Sequence, residues 1–268
     1  MSVEQTATPE SKNPGSKNPG SKNPETKKKS SGSFWRELPI LLIIALGLAL
    51  LIKTFLMQAF FIPSGSMEDT LQVGDRVLVN KLSYRFTDIQ RGDVIVFNGV
   101  DSWSPEVRVQ EPSNPVVRAV RSLAGAFGFA TPNEKDYIKR VIGLPGDRVQ
   151  CCDKQGRVTV NGVPLDEDYL YPGDKPSTQE FDVTVPPERL WVMGDHRSAS
   201  SDSRFHLGDP GGGAIPIDSV IGRAFIIIWP FGDTGLLSRP DTFDNEAIDA
   251  ARDDLQTPTP VPSGSSQQ

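Results

Sequence analysis

The chain has 268 residues, with 28 Lys and Arg against 34 Asp and Glu and a net charge of −6 at pH 7. This acidic balance argues against a nucleic-acid binder that works by neutralising phosphates. Its two Cys are adjacent and it has only two His. They are a poor ligand set for a metal, because adjacent side chains rarely converge on one ion. We therefore expect no metal, no cofactor and no nucleic-acid partner.

Both ends of the chain have compositions that cannot build a core. Near the N-terminus, a five-residue repeat opening Ser-Lys-Asn-Pro starts at Ser11, Ser16 and Ser21. This repeat is far shorter than the period of about 20–50 residues that builds solenoids. Residues 1–34 are therefore predicted to be a disordered tail. Residues 239–268, rich in Asp, Pro, Ser and Gln, are predicted to be a second, acidic disordered tail.

An uncharged apolar run follows the N-terminal tail. No charge occurs between Leu38 and Ile52, and apolar residues resume after Lys53 and continue to Met57. Since about 20 mostly apolar residues span a bilayer, residues 35–57 are predicted to form a transmembrane helix. A cleaved signal peptide has a similar pattern. No clear small-x-small cleavage site follows the run, which favours an uncleaved anchor.

The basic residues around this run predict its orientation. Seven Lys and Arg precede Leu38, whereas Lys53 is the only one in the twenty residues after Ile52. By the positive-inside rule, the N-terminus lies in the cytoplasm and the rest of the chain lies outside it. The sequence thus predicts a single-pass protein of the plasma membrane, in contact with the lipid bilayer, with an extracytoplasmic domain at 58–238.

The extracytoplasmic part has the pattern of a mostly β domain. Runs of β-branched and apolar residues alternate with turn signals, including Gly-Asp pairs and the hairpin dipeptide Asn161-Gly162. The predicted strands lie at Arg76–Asn80, Asp93–Phe97, Tyr137–Ile142, Arg157–Val163, Leu190–Met193 and Arg223–Trp229. The fold class expected is a membrane-anchored all-β domain with an N-terminal transmembrane helix.

An insertion at 98–135 interrupts the strand pattern. Its apolar residues recur at helical spacing beside Arg118 and Arg121, at Val116, Val117, Val120, Leu123, Ala124 and Phe127. A short amphipathic helix is predicted here. It either packs on the sheet or contacts lipid headgroups, and the sequence leaves both readings open.

Three motifs carry the functional pattern. They are Pro63-Ser64-Gly65-Ser66-Met67, the segment Asp136–Asp147 and the segment Gly194–Arg204. Together they resemble the bacterial type I signal peptidases, Ser/Lys proteases that release exported proteins from their membrane anchors. The resemblance covers about Phe55 to Trp229, with the motifs in the family's order. It implies a signal-peptidase-like or repressor-protease-like β fold and the removal of N-terminal signal peptides from exported preproteins.

The resemblance also assigns roles to individual residues. Ser66 matches the nucleophile, Lys139 the general base, and the Ser64 hydroxyl with the Ser66 N–H the oxyanion hole. Ser200 matches the hydroxyl that orients the lysine. Asp202 and Arg204 match a supporting ion pair, whereas His196 stands at a variable position and has no assigned role.

Substrate recognition is expected by addition of an extended peptide as a strand, with cleavage through an acyl-enzyme after small residues of the Ala-x-Ala type. The implied pocket walls are Phe60, Ile62, Met67, Leu71, Tyr137 and Ile138. The implied partners are signal-peptide-bearing preproteins, the bilayer and, by proximity, the protein-export translocon.

Elementary chemistry agrees with a lysine base. A serine hydroxyl needs a neighbouring base, and lysine can act as one only when it is uncharged. Burial can lower a lysine pKa by about 3–5 units, and Lys139 stands in an apolar run. Strand alternation alone favours a Lys139 that faces solvent, and the accompanying Ser66 and Ser200 motifs reverse that expectation.

The two cysteines and two rival functions complete the sequence-based expectations. Neighbouring side chains on a strand point to opposite faces, which favours free thiols at Cys151 and Cys152 over a vicinal disulfide. One rival is a soluble, self-cleaving repressor-type protease, against which the anchor and the acidic charge weigh. The other is an inactive, peptide-binding member of the fold, which would usually lack the Ser or the Lys.

Overall fold

The structure is a computed structural model that describes residues 34–100, 102–103 and 136–256. The chain divides into two compact units, Met1–Ala45 and Leu46–Gln268. The N-terminal repeats and the helix predicted inside the insertion lie outside the described residues.

Three α-helices are described: α1 (Phe34–Phe55), α2 (Ser83–Phe86) and α3 (Glu246–Gln256). α1 coincides within two residues with the predicted helix at 35–57, and its Leu- and Ala-rich composition favours helix. From residue 37 to 49 its side chains are exposed. Across the residues that the structure describes, no helix has the combined length and apolar character needed to cross a membrane.

Strands account for most of the remaining regular structure. In chain order they are β1 (Met57–Phe61), β2 (Arg76–Asn80), β3 (Val94–Asn98), β4 (Asp136–Gly143), β5 (Arg148–Cys151), β6 (Val158–Val160), β7 (Val163–Pro164), β8 (Phe181–Thr184), β9 (Arg189–Met193), β10 (Ile215–Pro216), β11 (Val220–Trp229) and β12 (Gly235–Leu236). The prediction of a mostly β domain is confirmed.

The larger sheet has eight strands in the order β1-β2-β11-β3-β4-β9-β10, with β12 added to β11. All of its pairs are antiparallel. In β2, Val77 and Val79 are buried while their neighbours are half-buried, the alternation of a strand with one face on the core. β3 is buried on both faces along Val94–Phe97, as its continuous apolar run requires.

The smaller sheet has four strands in the order β7-β6-β5-β8. The turn between β6 and β7 is Asn161-Gly162, with φ of 54° and 82°. A two-residue type I′ hairpin needs positive φ at both positions, which Asn and Gly tolerate best. The hairpin predicted from this dipeptide is therefore formed.

The C-terminal region differs from its prediction. Residues 239–256, expected to belong to a disordered tail, contain a 3₁₀ turn at Asp241–Phe243 and helix α3. Phe243 and Ile248 are 7% and 0% exposed and belong to the core cluster of the smaller sheet. The prediction of disorder was wrong for this stretch, because it rested on average composition and overlooked these two apolar residues.

The cysteines differ from the redox state that the sequence favoured. Cys151 and Cys152 form a disulfide, whereas the sequence favoured free thiols without excluding this bridge. That expectation assumed that both residues lie within one strand. β5 ends at Cys151, and alternation of side chains does not extend to Cys152.

Candidate active site

Ser66 and Lys139 are in direct contact. Lys139 Nζ donates a hydrogen bond of 2.7 Å to Ser66 Oγ, although 73 positions separate the two residues. Ser66 is 5% exposed and Lys139 is 4% exposed. The fold thus brings the expected nucleophile and the expected base together in a place that largely excludes water.

Ser66 lies in a 3₁₀ turn at Gly65–Met67, here called the Ser66 turn. Apolar side chains anchor this turn: Met67 and Leu71 are completely buried and pack in one cluster with Ile62. The Leu71 N–H also donates to Met67 O across 2.7 Å. The Ser66 side chain therefore lies between two buried apolar residues, Ile62 before the turn and Met67 at its end.

Lys139 lies on β4, opposite Ile95 of β3. Its Nζ also donates to Ile138 O across 3.0 Å. The alternative of a solvent-facing lysine is wrong, because the side chain is buried. The neighbour that follows, Arg140, is buried as well, at 2% exposure.

Gly194 packs against both the Ser66 turn and Ser200. A Cβ at position 194 would clash with Ser66 O and with Ser200 Oγ, so the close approach depends on glycine. Ser200 is 3% exposed, and its hydroxyl has no well-formed hydrogen bond among the described residues. The same hydroxyl makes a small contribution to lowering the pKa of the Asp202 carboxyl. The predicted role of Ser200 in orienting Lys139 stays a prediction.

Asp202 and Arg204 form a buried ion pair. Arg204 Nε lies 2.8 Å from Asp202 Oδ1, and Arg204 Nη2 lies 2.8 Å from Asp202 Oδ2. The Gly194 N–H donates to the same carboxylate across 3.0 Å. Burial works to raise the pKa of Asp202, but the Arg204 contacts and the Gly194 N–H together lower that pKa below its usual value. The pair holds the chain near Gly194, while its support of catalysis stays a prediction.

Ser64 immediately precedes the Ser66 turn. Its backbone is extended, with φ −131° and ψ 155°, and its side chain makes no capping hydrogen bond to the turn. The residue is exposed. Its hydroxyl is therefore accessible to a bound peptide, as the predicted oxyanion role requires.

The six expected pocket residues fall into two groups. Four are buried in one cluster, with Phe60 packed against it: Ile62, Met67, Leu71 and Ile138. Tyr137 belongs to another cluster, where its ring stacks on Phe97 at 5.6 Å. Neighbouring β4 side chains point to opposite faces, so the structure separates Tyr137 from the other five.

Two strand edges face the Ser66 region without a strand partner among the described residues. β1 pairs with β2 on one side only. β4 pairs with β3 along Asp136–Arg140, whereas its pairing with β9 begins at Arg140. The part of β4 that leads to Lys139 therefore has one open edge.

A buried ion pair beside the dyad was missed by the sequence analysis. Arg140 Nη2 lies 2.6 Å from Asp195 Oδ2, and Arg140 Nε lies 2.8 Å from Asp195 Oδ1. The Thr70 hydroxyl donates to the same carboxylate across 2.6 Å. Burial opposes the charge of Arg140, but Asp195 raises the pKa of Arg140 above its usual value. The sequence did contain a signal for this pair. Arg140 is a second charged residue in the apolar run of Lys139, and a buried charge needs a partner.

These contacts define a class of protein. The site contains a serine hydroxyl in contact with a buried lysine amine, beside an open strand edge. This arrangement is typical of a hydrolase that cleaves extended peptides through an acyl-enzyme.

Comparison with known proteins identifies the family. The family model of signal peptidase, peptidase S26, matches residues 35–229. A signal peptidase I from Mycobacterium tuberculosis is 45% identical over 214 residues, covering 73% of this chain and 72% of its own. A probable signal peptidase I from Mycobacterium leprae is 42% identical over 228 residues, covering 75% and 78%. A probable signal peptidase I-2 from Synechocystis sp. is 36% identical over 238 residues, covering 88% and 92%.

The chain belongs to the signal peptidase family, peptidase S26, and is a serine endopeptidase of the kind that removes signal peptides from preproteins. A solved signal peptidase I from Enterococcus faecalis V583 is 28% identical, with a TM-score of 0.32. That match covers 51% of this chain and 97% of the other.

Proposed function

We propose that this endopeptidase cuts preproteins after an Ala-x-Ala type site, with Ser66 as nucleophile and Lys139 as general base. The observation that carries the proposal is the 2.7 Å contact between Lys139 Nζ and Ser66 Oγ, made by two side chains that are each at most 5% exposed. A general base must lie within hydrogen-bond reach of the proton that it removes, and Lys139 does.

The proposed reaction has two halves. In the first, neutral Lys139 accepts the Ser66 hydroxyl proton while Ser66 Oγ bonds to the carbonyl carbon of the scissile peptide. The resulting ammonium then protonates the leaving amine, the C–N bond breaks, and an ester to Ser66 remains. In the second half, Lys139 takes a proton from water and the hydroxide bonds to the ester carbon. The bond between Ser66 Oγ and that carbon then breaks, the released fragment leaves with a new carboxyl group, and the proton on Lys139 returns to Ser66 Oγ.

Burial supports a lysine that is neutral when substrate binds. An ammonium group removed from water loses its hydration, so the low-dielectric site favours the uncharged amine. With the amine neutral, the present contact reverses direction and the Ser66 hydroxyl donates to Nζ. Ser200, buried beside Gly194, is proposed to fix the Lys139 amine during the reaction.

The oxyanion of each tetrahedral intermediate needs hydrogen-bond donors that are already in place. We assign this role to the Ser66 N–H and the Ser64 hydroxyl. The extended backbone of Ser64 and its lack of a capping bond leave the hydroxyl available to a bound carbonyl oxygen. Asp202 and Arg204 are proposed to hold the Gly194 segment against the Ser66 turn.

The substrate is proposed to add as an extended strand along the open edge of β4, facing the Phe60–Ser64 segment. The buried cluster of Ile62, Met67 and Ile138 lies under this path. Walls that are already packed leave room for small side chains only, which accounts for the preference for Ala at the first and third positions before the cut.

Membrane attachment is proposed from the apolar run at 35–57, with the N-terminus in the cytoplasm and the peptidase domain outside, near the export translocon. Support comes from the absence of charge between Leu38 and Ile52 and from the exposed apolar side chains of α1, such as Leu41 at 60% and Ile43 at 69%. A chain lacking residues 1–57 should leave the membrane fraction of cells that retain the full chain there. Equal retention of both would refute an anchor in this segment.

The test of the cleavage proposal uses the detergent-solubilised full chain and a preprotein with an Ala-x-Ala site. The cut position is mapped by mass spectrometry, beside Ser66→Ala and Lys139→Ala variants. We expect cleavage after the second Ala by the unmodified chain alone. Cleavage by Ser66→Ala would remove Ser66 as nucleophile, and no cleavage by the folded, unmodified chain would favour a peptide-binding role.

A further inference from the structure

His196 makes three contacts with the segment that carries Ser66. Its backbone N–H donates to Ser66 O across 3.2 Å. Its ring Nδ1 lies 3.1 Å from Gly65 O and 2.9 Å from Glu68 Oε2. Backbone and ring of one residue therefore hold the Ser66 turn at Gly65 and Ser66 and contact Glu68, the residue that follows the turn.

The partners of Nδ1 determine its protonation. A carbonyl oxygen and a carboxylate are both acceptors, so Nδ1 must carry a proton in order to satisfy them. This holds for the Nδ1–H tautomer and for the imidazolium alike. His196 thus acts at Nδ1 as a hydrogen-bond donor, and at this atom it is not a base.

The ring and the carboxylate are themselves held in place. Tyr171 stacks on the His196 ring, with centroids 3.9 Å apart and planes 15° from parallel, and the Tyr171 N–H donates to Asp195 O across 3.2 Å. The Glu68 carboxyl group lies over Gly65, where a Cβ would come within 2.9 Å of Glu68 Cδ. Glycine at position 65 leaves the space that this folded-back carboxylate occupies.

We infer that His196 and Glu68 form a positioning pair that fixes the Ser66 turn in the orientation from which Ser66 attacks. The inference rests on the proposed role of Ser66 as nucleophile. The contacts of His196 are made to the turn's backbone and to Glu68, so its effect reaches Ser66 Oγ through the turn. Placement matters because a misplacement of about 1 Å at a reacting centre can cost ~100-fold in rate.

Matched substitutions at position 196 test the pair. In His196→Asn the side-chain N–H stands the same number of bonds from the backbone as Nδ1, whereas in His196→Gln it stands one bond further out. Misplacement of Ser66 slows the chemical step and leaves substrate binding intact. We therefore expect His196→Ala and His196→Gln to lower kcat about tenfold or more with KM nearly unchanged. His196→Asn should recover most of kcat. Equal kcat values for Asn, Gln and Ala would overturn the inference.

The partner is tested by a double-mutant cycle. Glu68→Ala should lower kcat, and adding it to His196→Ala should cost little more, because residues that act as one unit are not additive. Glu246→Gln, which neutralises an exposed carboxylate on α3, serves as the control and should keep the unmodified kcat. Fully additive losses would contradict a pair.

Hydrogen exchange gives a readout that does not depend on turnover. The Glu68 N–H donates to Gly65 O across 3.1 Å and closes the turn, so its exchange should speed up in His196→Ala but not in His196→Asn. Unchanged exchange in His196→Ala would refute the pair even if no substrate is cleaved. The unmodified chain's failure to cleave would instead count against the proposed function.

Discussion

The Arg140 guanidinium and the Asp195 carboxylate are 2% and 1% exposed, which makes their environment unlike that of most ion pairs. Two charges withdrawn from water depend on each other, since removal of one leaves the other without hydration or a partner. Their hydrogen bonds tie β4, next to Lys139, to the residue that follows Gly194. The active-site geometry therefore depends on this pair although neither residue reaches Ser66.

Arg140→Ala should lower the free energy of unfolding by about 3–5 kcal/mol, the usual cost of leaving a buried charge unpaired. Arg148→Ala is the matched control. It breaks an equally short pair with Asp182, but both side chains are about half exposed, at 45% and 50%, so solvent screens the pair and the expected loss is much smaller. Urea unfolding of both variants checks the contrast, and similar losses would contradict it.

Substitution of Ser200 is expected to lower activity strongly while leaving stability almost unchanged. Its buried hydroxyl has no well-formed hydrogen bond among the described residues, so Ser200→Ala removes a polar atom without orphaning a partner. The free energy of unfolding should change by less than about 1 kcal/mol. If the hydroxyl fixes Lys139 during the reaction, kcat should fall by a large factor. An unchanged kcat would reduce Ser200 to a packing residue.

At the level of single residues, the motifs predicted which side chains meet but not how they are supported. Ser66, Lys139 and Ser200 stand in three motifs that are weak signals singly and distinctive only together and in this order. The partners of His196 and Arg140 lie 128 and 55 positions away. Such pairings depend on register and on strand order, and no local pattern contains them.

Among the secondary-structure elements, α3 shows how a charged segment can still dock. Ile248 is completely buried, its carbonyl accepts from Asn161 Nδ2 across 3.0 Å, and Asp249 accepts from Arg91 Nη1 across 2.8 Å. One apolar residue and two polar contacts thus attach the helix to the turn of the β6–β7 hairpin and to Arg91. This attachment explains why an acidic stretch is ordered here.

Ile248→Ala should lower the free energy of unfolding by about 2–5 kcal/mol, because it removes buried methylene and methyl groups and leaves a cavity. Ala250→Ser, at an exposed position of the same helix, should change it by about 0.5 kcal/mol or less. Thermal or urea unfolding measures both. Equal, small effects would mean that α3 does not share in cooperative folding.

Elements differed in how well the sequence predicted them. The β6–β7 hairpin was predictable because Asn-Gly fits only a narrow set of backbone angles, and β2 because its alternation marks one buried face. α3 was not, because the acidic composition of its surroundings outweighed a single Ile. Backbone conformations that depend on neighbouring residues can be predicted from the sequence. The docking of a polar helix such as α3 depends on a surface formed by residues far away in the chain.

The whole molecule can be understood as a means of placing one lysine. Two sheets, a packed cluster under the Ser66 turn and two buried ion pairs bring Lys139 Nζ to Ser66 Oγ and keep both from water. The resemblance to signal peptidases predicted the family and the dyad. The separation of Tyr137 from the other expected pocket residues was overlooked although it could be predicted, because Tyr137 and Ile138 are neighbours on a predicted strand and their side chains point to opposite faces.

Cleavage by Lys139→Arg as a function of pH tests the central claim most directly. A base must be uncharged, so the rate of the unmodified chain should rise with pH through the lysine pKa and be lost as pH falls below it. Arg stays protonated throughout, so Lys139→Arg should be slower by about 100-fold or more at every pH. Turnover by Lys139→Arg near the unmodified rate would contradict a mechanism in which neutral Lys139 activates Ser66.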